Sequence, residues 1–297
     1  MRISSNTTKY DSLNRINSQQ ARLNVLQERL ASGKRINRAS DDPVGAEAVL
    51  NLRTSQAEIK QFQRAAVAVN QKLIAGDDAL NNYQNILDAV RTNLAKGLTD
   101  TNSQIGRDSL AAELEAMRSR ILGVANIKNG EEFVFGGTRQ TVAPYDSAAI
   151  PAAAPNSAQY VQIEPGASAI PTGVTAETVF ADSTSNIFTD LNNAINALRG
   201  TGDATADKAT LQTTMNRMSI YTEQAAIARA GIGANMNIAE AAQDALGNSS
   251  LLIDQRAKDI EGDDFARTAL EYADAQKALD ATLQVAAKGQ RSLFDYL

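Results

Sequence analysis

Apolar residues recur along most of the chain at alternating steps of three and four, which is the spacing of one helix face. The first such segment spans residues 5–32, and Gly33 behind it can close a helix. Its predicted apolar line consists of Leu13, Ile16, Gln20, Leu23, Gln27 and Leu30. These steps predict a helix that buries one narrow stripe against a partner helix.

A second and much longer pattern follows Asp42 and Pro43. Asp42 is a good N-cap, and Pro43 suits the first helical position, where its missing N–H costs nothing. From Leu52 to Leu94 the three-four spacing continues without a slip. A helix from Pro43 to Lys96 is about 80 Å long at 1.5 Å per residue. A helix of that length has to lie in a bundle or coiled coil.

The middle of the chain changes character after a third predicted helix, residues 103–125. Asn129-Gly130 predicts a tight turn, and residues 133–135 a short strand. Residues 138–184 hold five of the six prolines and a strand-like alternation. This segment is a disordered linker or a small β-rich insertion. We favour the insertion because it has apolar residues to bury, which are Val161, Ile163, Val174, Val179 and Phe180.

Helix patterns resume at residues 186–198, 206–246 and 250–291. The last apolar line consists of Ala269, Tyr272, Gln276, Leu279, Leu283, Ala286, Gln290 and Leu293. The predicted fold is mainly α, an elongated antiparallel helical bundle or coiled coil folded back on itself, with a small β-rich insertion at the tip. The predicted domains are residues 1–42 with 250–297, residues 43–137 with 185–249, and the insertion. We expect the insertion to be dispensable for assembly.

Composition removes whole classes of function. The chain has no Cys and no His, so thiolate catalysis, Ser–His triads and His-based metal sites are excluded. The net charge of -5 argues against a nucleic-acid footprint, and no apolar run is long enough to span a membrane. Residues 1–40 carry eight basic and two acidic side chains, whereas residues 251–297 carry six basic and nine acidic ones. These opposite biases favour pairing of the two ends.

The remaining candidate motifs indicate structure rather than chemistry. Acidic pairs such as Asp41-Asp42 and Asp263-Asp264 point to different helix faces, so capping or solvation is expected instead of a catalytic pair. Gly231 and Gly233 lack the strand and third glycine of a dinucleotide loop, and indicate a tight helix contact or a bend. The basic cluster Lys34-Arg35 is expected to pack against acidic neighbours. No catalytic, cofactor or metal site is predicted.

The ends of the chain carry the predicted self-assembly surface. Val25 and Leu26 widen the stripe of the first helix beyond what one partner covers. The terminal helices are therefore expected to stay largely disordered in a monomer and to order when neighbouring copies cover them. The glutamines on the apolar lines are interpreted as register-setting residues, with loosely packed positions on these lines as the alternative. The predicted assembly residues are Leu13, Ile16, Leu23, Leu30, Tyr272, Leu279, Leu283, Leu293 and Phe294.

Several motifs are similar to those of one protein family. Residues 30–46 resemble the N-terminal signature of flagellin-like axial proteins, and the Asp-Asp-Pro-Val-Gly-Ala version is more similar to the hook-associated junction proteins than to filament flagellin. Residues 1–4, 133–138 and 292–297 resemble further elements of the family. The matching positions are Gly33, Arg35, Asn37, Asp41, Asp42, Pro43, Gly45, Phe135, Gly136 and Gly137.

The resemblance implies a non-enzymatic structural subunit of the bacterial flagellum that joins hook to filament and polymerises through its terminal helices. The implied partners are further copies in a helical ring, another hook-associated protein on the hook side, flagellin on the filament side and a flagellar export chaperone. The implied location is the extracellular flagellum, reached by type III export without a cleaved signal peptide. No cofactor, nucleic acid or membrane is implied. The alternatives are a filament flagellin and, more remotely, a cytoplasmic coiled-coil adaptor or chaperone.

Overall fold

The structure is a computed structural model that describes the backbone of residues 2–99, 103–148 and 156–294, with side chains for residues 10–99, 103–148 and 156–287. The described chain is mainly α-helical. Its elements are α1 (Arg2–Ser32), α2 (Pro43–Gly97), α3 (Gln104–Ala125), β1 (Lys128–Asn129), β2 (Glu132–Phe133), β3 (Tyr160–Val161), β4 (Ile170–Pro171), α4 (Ala176–Phe180), α5 (Ile187–Arg199), α6 (Ala204–Glu261) and α7 (Phe265–Phe294).

Local capping chemistry sets most helix ends. α1 ends at Gly33, which has φ +66° and donates its N–H to the carbonyl of Arg29 at 2.8 Å. The carboxylate of Asp42 accepts the N–H of Gly45 at 2.9 Å and opens α2. Ser103 caps α3 and Asn186 caps α5 in the same way. The predicted starts and ends of these helices are therefore confirmed to within a few residues.

The chain divides into two compact units. Unit 1 comprises residues 1–59 and 248–297, and unit 2 comprises residues 60–247. The boundaries between the units lie within α2 and α6, and both helices continue across them. The domains predicted from the sequence have boundaries at residues 42 and 250, which differ from the limits of these two units. The division into three domains stays a prediction.

Unit 2 has a large apolar core. Its part of the α2 line is buried from Ala66 to Leu94, as the spacing predicted. β1 and β2 form the expected hairpin around Gly130, whose φ is +65°. β3 and β4 pair antiparallel within the segment predicted as a β-rich insertion.

The insertion belongs to the core of unit 2. Phe180 is fully buried and packs edge-on against Tyr83 at 4.7 Å and Phe135 at 5.2 Å between ring centroids. Val179 and Ile163 are also buried in this core. Replacing all of residues 138–184 would therefore open a large cavity. The expectation that the whole segment is dispensable for assembly conflicts with this packing. Its helix α4 contributes Val179 and Phe180 to the core of unit 2.

One predicted helix break is wrong. The sequence placed an interruption at residues 247–249, but α6 continues through Gly247 to Glu261, and the half-buried Ile253, Ala257 and Ile260 extend the line of Leu246 past the glycine. The interruption lies instead at Gly262, where a Cβ would stand 2.5 Å from the carbonyl oxygen of Lys258. Asp264 then caps α7 by accepting the N–H of Arg267 at 3.2 Å.

The predicted register of the terminal helices is also corrected. α1 pairs with α7, and the small core of unit 1 consists of Leu23, Leu26 and Ala275, with Tyr272 and Leu279 packed against it. The glutamines placed on these lines, Gln20, Gln27 and Gln276, are exposed. The side chain of Gln290 lies outside the described residues. Leu26 rather than Gln27 completes the α1 line, because burial selects the apolar one of two adjacent positions.

The described chain contains no helix that is both long and apolar enough to cross a membrane. Among the described side chains, no cluster of carboxylates could hold a metal ion.

Candidate functional site

The residues that match the family signature fold into a connector between α1 and α2. This first connector, residues 33–42, is held by its own side chains. Asp41 accepts the backbone N–H groups of Asn37 at 3.1 Å and Arg38 at 2.9 Å. The amide of Asn37 donates to the carbonyl of Lys34 at 3.0 Å. Asp41 and Asn37 thus satisfy backbone groups of a short loop that leaves one helix and enters the next.

Gly45 is required by close packing at the start of α2. A Cβ at this position would stand 2.6 Å from both the Asp42 carboxylate and Cδ1 of Ile36. Ile36 is the buried apolar residue of the connector. A larger residue at position 45 would therefore displace either the cap of α2 or the anchor of the loop.

A second connector, residues 262–264, lies against the first. The N–H of Arg35 donates to the carbonyl of Glu261 at 2.7 Å, and the N–H of Asp263 donates to the carbonyl of Gly33 at 3.2 Å. Lys34 and Gly262 thereby form an isolated antiparallel bridge. Two turns that are more than 200 residues apart in sequence are joined backbone to backbone.

Ion pairs reinforce this junction. Glu261 binds Lys34 at 2.8 Å through one carboxylate oxygen and Arg53 at 2.5 Å through the other. Arg35 donates to Asp42 at 3.2 Å and to the carbonyl of Ile260 at 3.0 Å. The expectation that the basic cluster packs against acidic neighbours is confirmed. Sequence reasoning missed Glu261 and Arg53, because the helix predicted over residues 250–291 ran through the second connector. The Gly-Asp-Asp of residues 262–264 is the signal that could have placed this turn.

The acidic residues of the first connector make its stability depend on pH. Hydrogen bonds from backbone N–H groups, of Arg38 to Asp41 and of Gly45 to Asp42, hold the pKa of each carboxyl below its ordinary value of 3.8. Carboxyls whose pKa is depressed by folding stabilise the loop above their unfolded pKa and lose that contribution as the pH falls through the folded one. We expect amide protection at residues 37, 38 and 45 to be constant above pH 4 and to fall below it.

Hydrogen exchange followed by NMR between pH 5 and pH 2.5 measures this effect. Asp41→Asn is the matched control, because an amide oxygen still accepts both N–H groups but does not titrate. Its protection at residues 37 and 38 should not change in this range. Equal acid sensitivity of the control and the parent would contradict the assignment to Asp41.

Residues 135–137, the Phe-Gly-Gly that matches the family signature, lie in a second closely packed region, which belongs to unit 2. Phe135 is fully buried, and its carbonyl accepts the N–H of Ala176 at 3.1 Å. Gly137 has φ +53°, and a Cβ there would collide with the carbonyl oxygen of Ser157. This motif therefore docks the insertion onto the hairpin, which is a structural task.

The predicted assembly residues divide by burial. Leu23 is buried against α7, whereas Leu13 is 47% exposed and Leu283 is 45% exposed. Ile16, Leu30, Tyr272 and Leu279 are half-buried. The side chains of Leu293 and Phe294 lie outside the described residues. The α1–α7 pair thus leaves part of its apolar surface uncovered, and assembly through these residues stays a prediction.

Exposed apolar side chains are concentrated in unit 1. Eleven of the twenty large apolar side chains that the described structure leaves exposed lie there, although unit 1 is the smaller unit. They include Val44, Leu251 and Val285, each at least 70% exposed. A surface enriched in exposed apolar side chains is a candidate for association with other protein chains.

Comparisons with known proteins agree with this picture. A family model described as the bacterial flagellin N-terminal helical region matches residues 3–138, slightly less than half of the chain. Flagellar hook-associated protein 3 of Escherichia coli (strain K12) is 26% identical over 310 residues, which covers 95% of each chain. A flagellin of Salmonella rubislaw is 36% identical over 115 residues, but these cover only 38% of this chain and 23% of the flagellin.

Solved structures share the fold. Xanthomonas campestris FlgL superposes with a TM-score of 0.63 at 15% identity, covering 70% of this chain and 99% of that one. The flagellar junction protein FlgL from Legionella pneumophila superposes with a TM-score of 0.58 at 14% identity, covering 73% and 100%. Residues 3–138 are therefore similar to the N-terminal helical region of bacterial flagellins, and the chain as a whole resembles flagellar hook-associated protein 3 in sequence and FlgL in fold.

Proposed function

We propose that this chain is a structural subunit of the bacterial flagellum that joins hook to filament and polymerises through its N- and C-terminal helices. Its proposed partners are further copies of itself, another hook-associated protein on the hook side, flagellin on the filament side and an export chaperone. It reaches the cell exterior through the flagellar export apparatus. It has no catalytic role and no cofactor.

The observation that carries the proposal is the exposed apolar surface of unit 1, in a chain that resembles hook-associated protein 3 over its whole length. Among its described side chains, the apolar core of the helix pair α1–α7 has three buried residues, Leu23, Leu26 and Ala275. A pair with so small a core is marginal in water and gains stability when neighbouring subunits cover its exposed leucines and valines. The joined connectors hold α1 and α7 in one register while that happens.

Filament flagellin is the second candidate, favoured by the 36% identity to a flagellin over 115 residues. The two functions differ in where the protein lies. Flagella are isolated from cells that express an epitope-tagged full-length chain, and immunogold electron microscopy locates the tag. A junction protein labels one short zone at the hook–filament boundary, while a flagellin labels the whole filament. Labelling of neither would count against both functions.

A further inference from the structure

The middle of α6 contains a glycine that the fold of the single chain does not explain. Gly231 is exposed, and no atom lies within 4 Å of the place where its Cβ would stand. Glycine in a helix interior is destabilising relative to alanine, because it loses more backbone entropy on folding. The tight helix contact that Gly231 indicated in the sequence is therefore not an internal contact.

The same face of α6 carries exposed isoleucines. Ile220 is 41% exposed, Ile227 is 65% exposed and Ile238 is 49% exposed, at helical spacings that place them in line with Gly231. Exposed alanines at positions 234, 241 and 245 continue the line. We refer to residues 220, 227, 231, 234, 238, 241 and 245 as the α6 stripe. Small residues between isoleucines let a second helix approach closely.

A complementary line runs along α2. Lys60, Arg64, Val67, Gln71 and Ile74 are spaced by four and three and are all exposed. Val67 is 42% exposed and Ile74 is 43% exposed. We refer to these five residues as the α2 stripe. Both stripes lie in unit 2.

The α2 stripe stands at the height of residues 234–248 of α6, which include the C-terminal half of the α6 stripe. A Cβ on Gly76 would meet Ile232 at 3.1 Å, and one on Gly97 would meet Leu211 at 3.9 Å, so α2 and α6 run antiparallel in constant register. Carried along both helices at equal rise, this register puts Ile74 level with Ala234, and Val67 level with Ala241. It also puts Arg64 level with Asp244, which borders the α6 stripe.

The two charges at the level of Arg64 are opposite in sign. Within the described chain, neither Arg64 nor Asp244 forms an ion pair, and neither does Lys60, which lies one turn before Arg64. A second copy at the same height would bring Arg64 of one chain opposite Asp244 of the other. Such complementarity sets the register and selects the partner.

We propose that the α2 stripe of one copy packs on the α6 stripe of a second copy. The contact is heterologous, so its repetition generates a closed ring or a helical row. It goes beyond the proposed function, because it lies in unit 2 and uses none of the terminal-helix residues. Val67 and Ile74 would cover Ala241 and Ala234, with Arg64 beside Asp244.

Cross-linking between two single-cysteine variants tests the contact, and the chain has no native cysteine to interfere. Val67→Cys and Ala241→Cys are expressed together, each with its own tag, and isolated flagella are treated with a short bis-maleimide. The expected product is a dimer that carries both tags. Val67→Cys paired with Ala112→Cys, an exposed position on α3, is the matched control and should give no such dimer.

Charge exchange and glycine replacement sharpen the test. Arg64→Glu in the first variant should lower the cross-linked yield several-fold, and Asp244→Lys in the second should restore it. Gly231→Ala should raise the melting temperature of the isolated chain by about 2–4 °C. Gly231→Gln, which fills the stripe, should lower the yield without a loss of melting temperature.

The outcomes separate this inference from the proposed function. Immunoblotting shows whether both variants are in the flagella, which tests the function. If both are there and no mixed dimer forms, the contact is refuted while the function stands. If neither is there, the same variants are mixed as concentrated purified chains. A mixed dimer then supports the contact, and its absence refutes it.

Discussion

Arg217→Met is expected to lower the free energy of unfolding of unit 2 by about 3–5 kcal/mol. Arg217 lies on α6, with its side chain 15% exposed, and binds Asp190 of α5 at 2.5 Å and Asp182 at 2.9 Å. Asp190 is 6% exposed. Methionine can fill the volume but leaves a buried carboxylate without its cation, and that uncompensated charge is the main cost.

The hydrogen bonds around Asp190 explain why the loss of one arginine is expected to lower the free energy of unfolding so much. Asp190 also accepts hydrogen bonds from Tyr221 at 2.6 Å and from Ser185 at 2.8 Å. Burial alone would lower the pKa of Arg217, but its hydrogen bonds to Asp190, Tyr221 and Asp182 outweigh this and raise it. These hydrogen bonds connect the end of the insertion with α5 and α6, and each of their polar groups has a partner. Removal of one group therefore leaves the others with unsatisfied hydrogen bonds.

Arg229→Met on the same helix is the matched control. Arg229 binds Asp77 at 2.8 Å, but the two side chains are 33% and 35% exposed, so solvent screens the pair. Its loss should cost about 0–1 kcal/mol. Urea unfolding of the full chain measures both variants. Asp190→Asn added to Arg217→Met should recover part of the loss because it removes the stranded charge. Equal costs for the two arginines would contradict the burial argument.

Leu283→Asp is expected to abolish incorporation into flagella while leaving the melting of the isolated chain unchanged. In the single chain Leu283 is 45% exposed, so an aspartate there stays solvated. When neighbouring subunits cover this face, the carboxylate would be buried without a partner, which costs several kcal/mol, on the order of 2–7 for even a neutral polar group. That exceeds what a helix pair with three buried core residues can offset.

Ala281→Asp provides the control, since position 281 is exposed on the opposite side of α7 and introduces the same charge. Circular dichroism melting and immunoblots of isolated flagella are compared for the two variants and the parent. Normal incorporation of Leu283→Asp would show that the C-terminal helix is not part of the assembly interface. A collapsed melt of that variant would mean instead that the α1–α7 pair contributes to the stability of the monomer.

Much of the helical framework follows from the sequence because the signals are local. Asp42 and Pro43 cap and start α2 within one turn, and Gly33 ends α1 through its own backbone conformation. The apolar line from Ala66 to Leu94 was also predictable, since a helix buried along its length allows only one set of inward positions. The signature residues Asp41 and Asn37 act within the same few residues.

The tertiary structure decided whatever depends on distant segments. Leu26 and Gln27 are equally compatible with the spacing of α1, and only packing against α7 buries the first and exposes the second. Gly247 resembles a helix end, but α6 continues past it, with the half-buried Ile253, Ala257 and Ile260 in line with Leu246.

The connector junction shows the same division. The sequence by itself determined the first connector, because its turn is built from hydrogen bonds between residues less than five positions apart. The second connector interrupts a helix that the apolar spacing predicted from residue 250 to 291, although its cap is equally local. Their union through Glu261, Lys34 and Arg53 joins residues more than 200 positions apart in the chain. No local pattern specifies such a pair, since its free energy exists only after the helices that carry it have folded and brought the charges together.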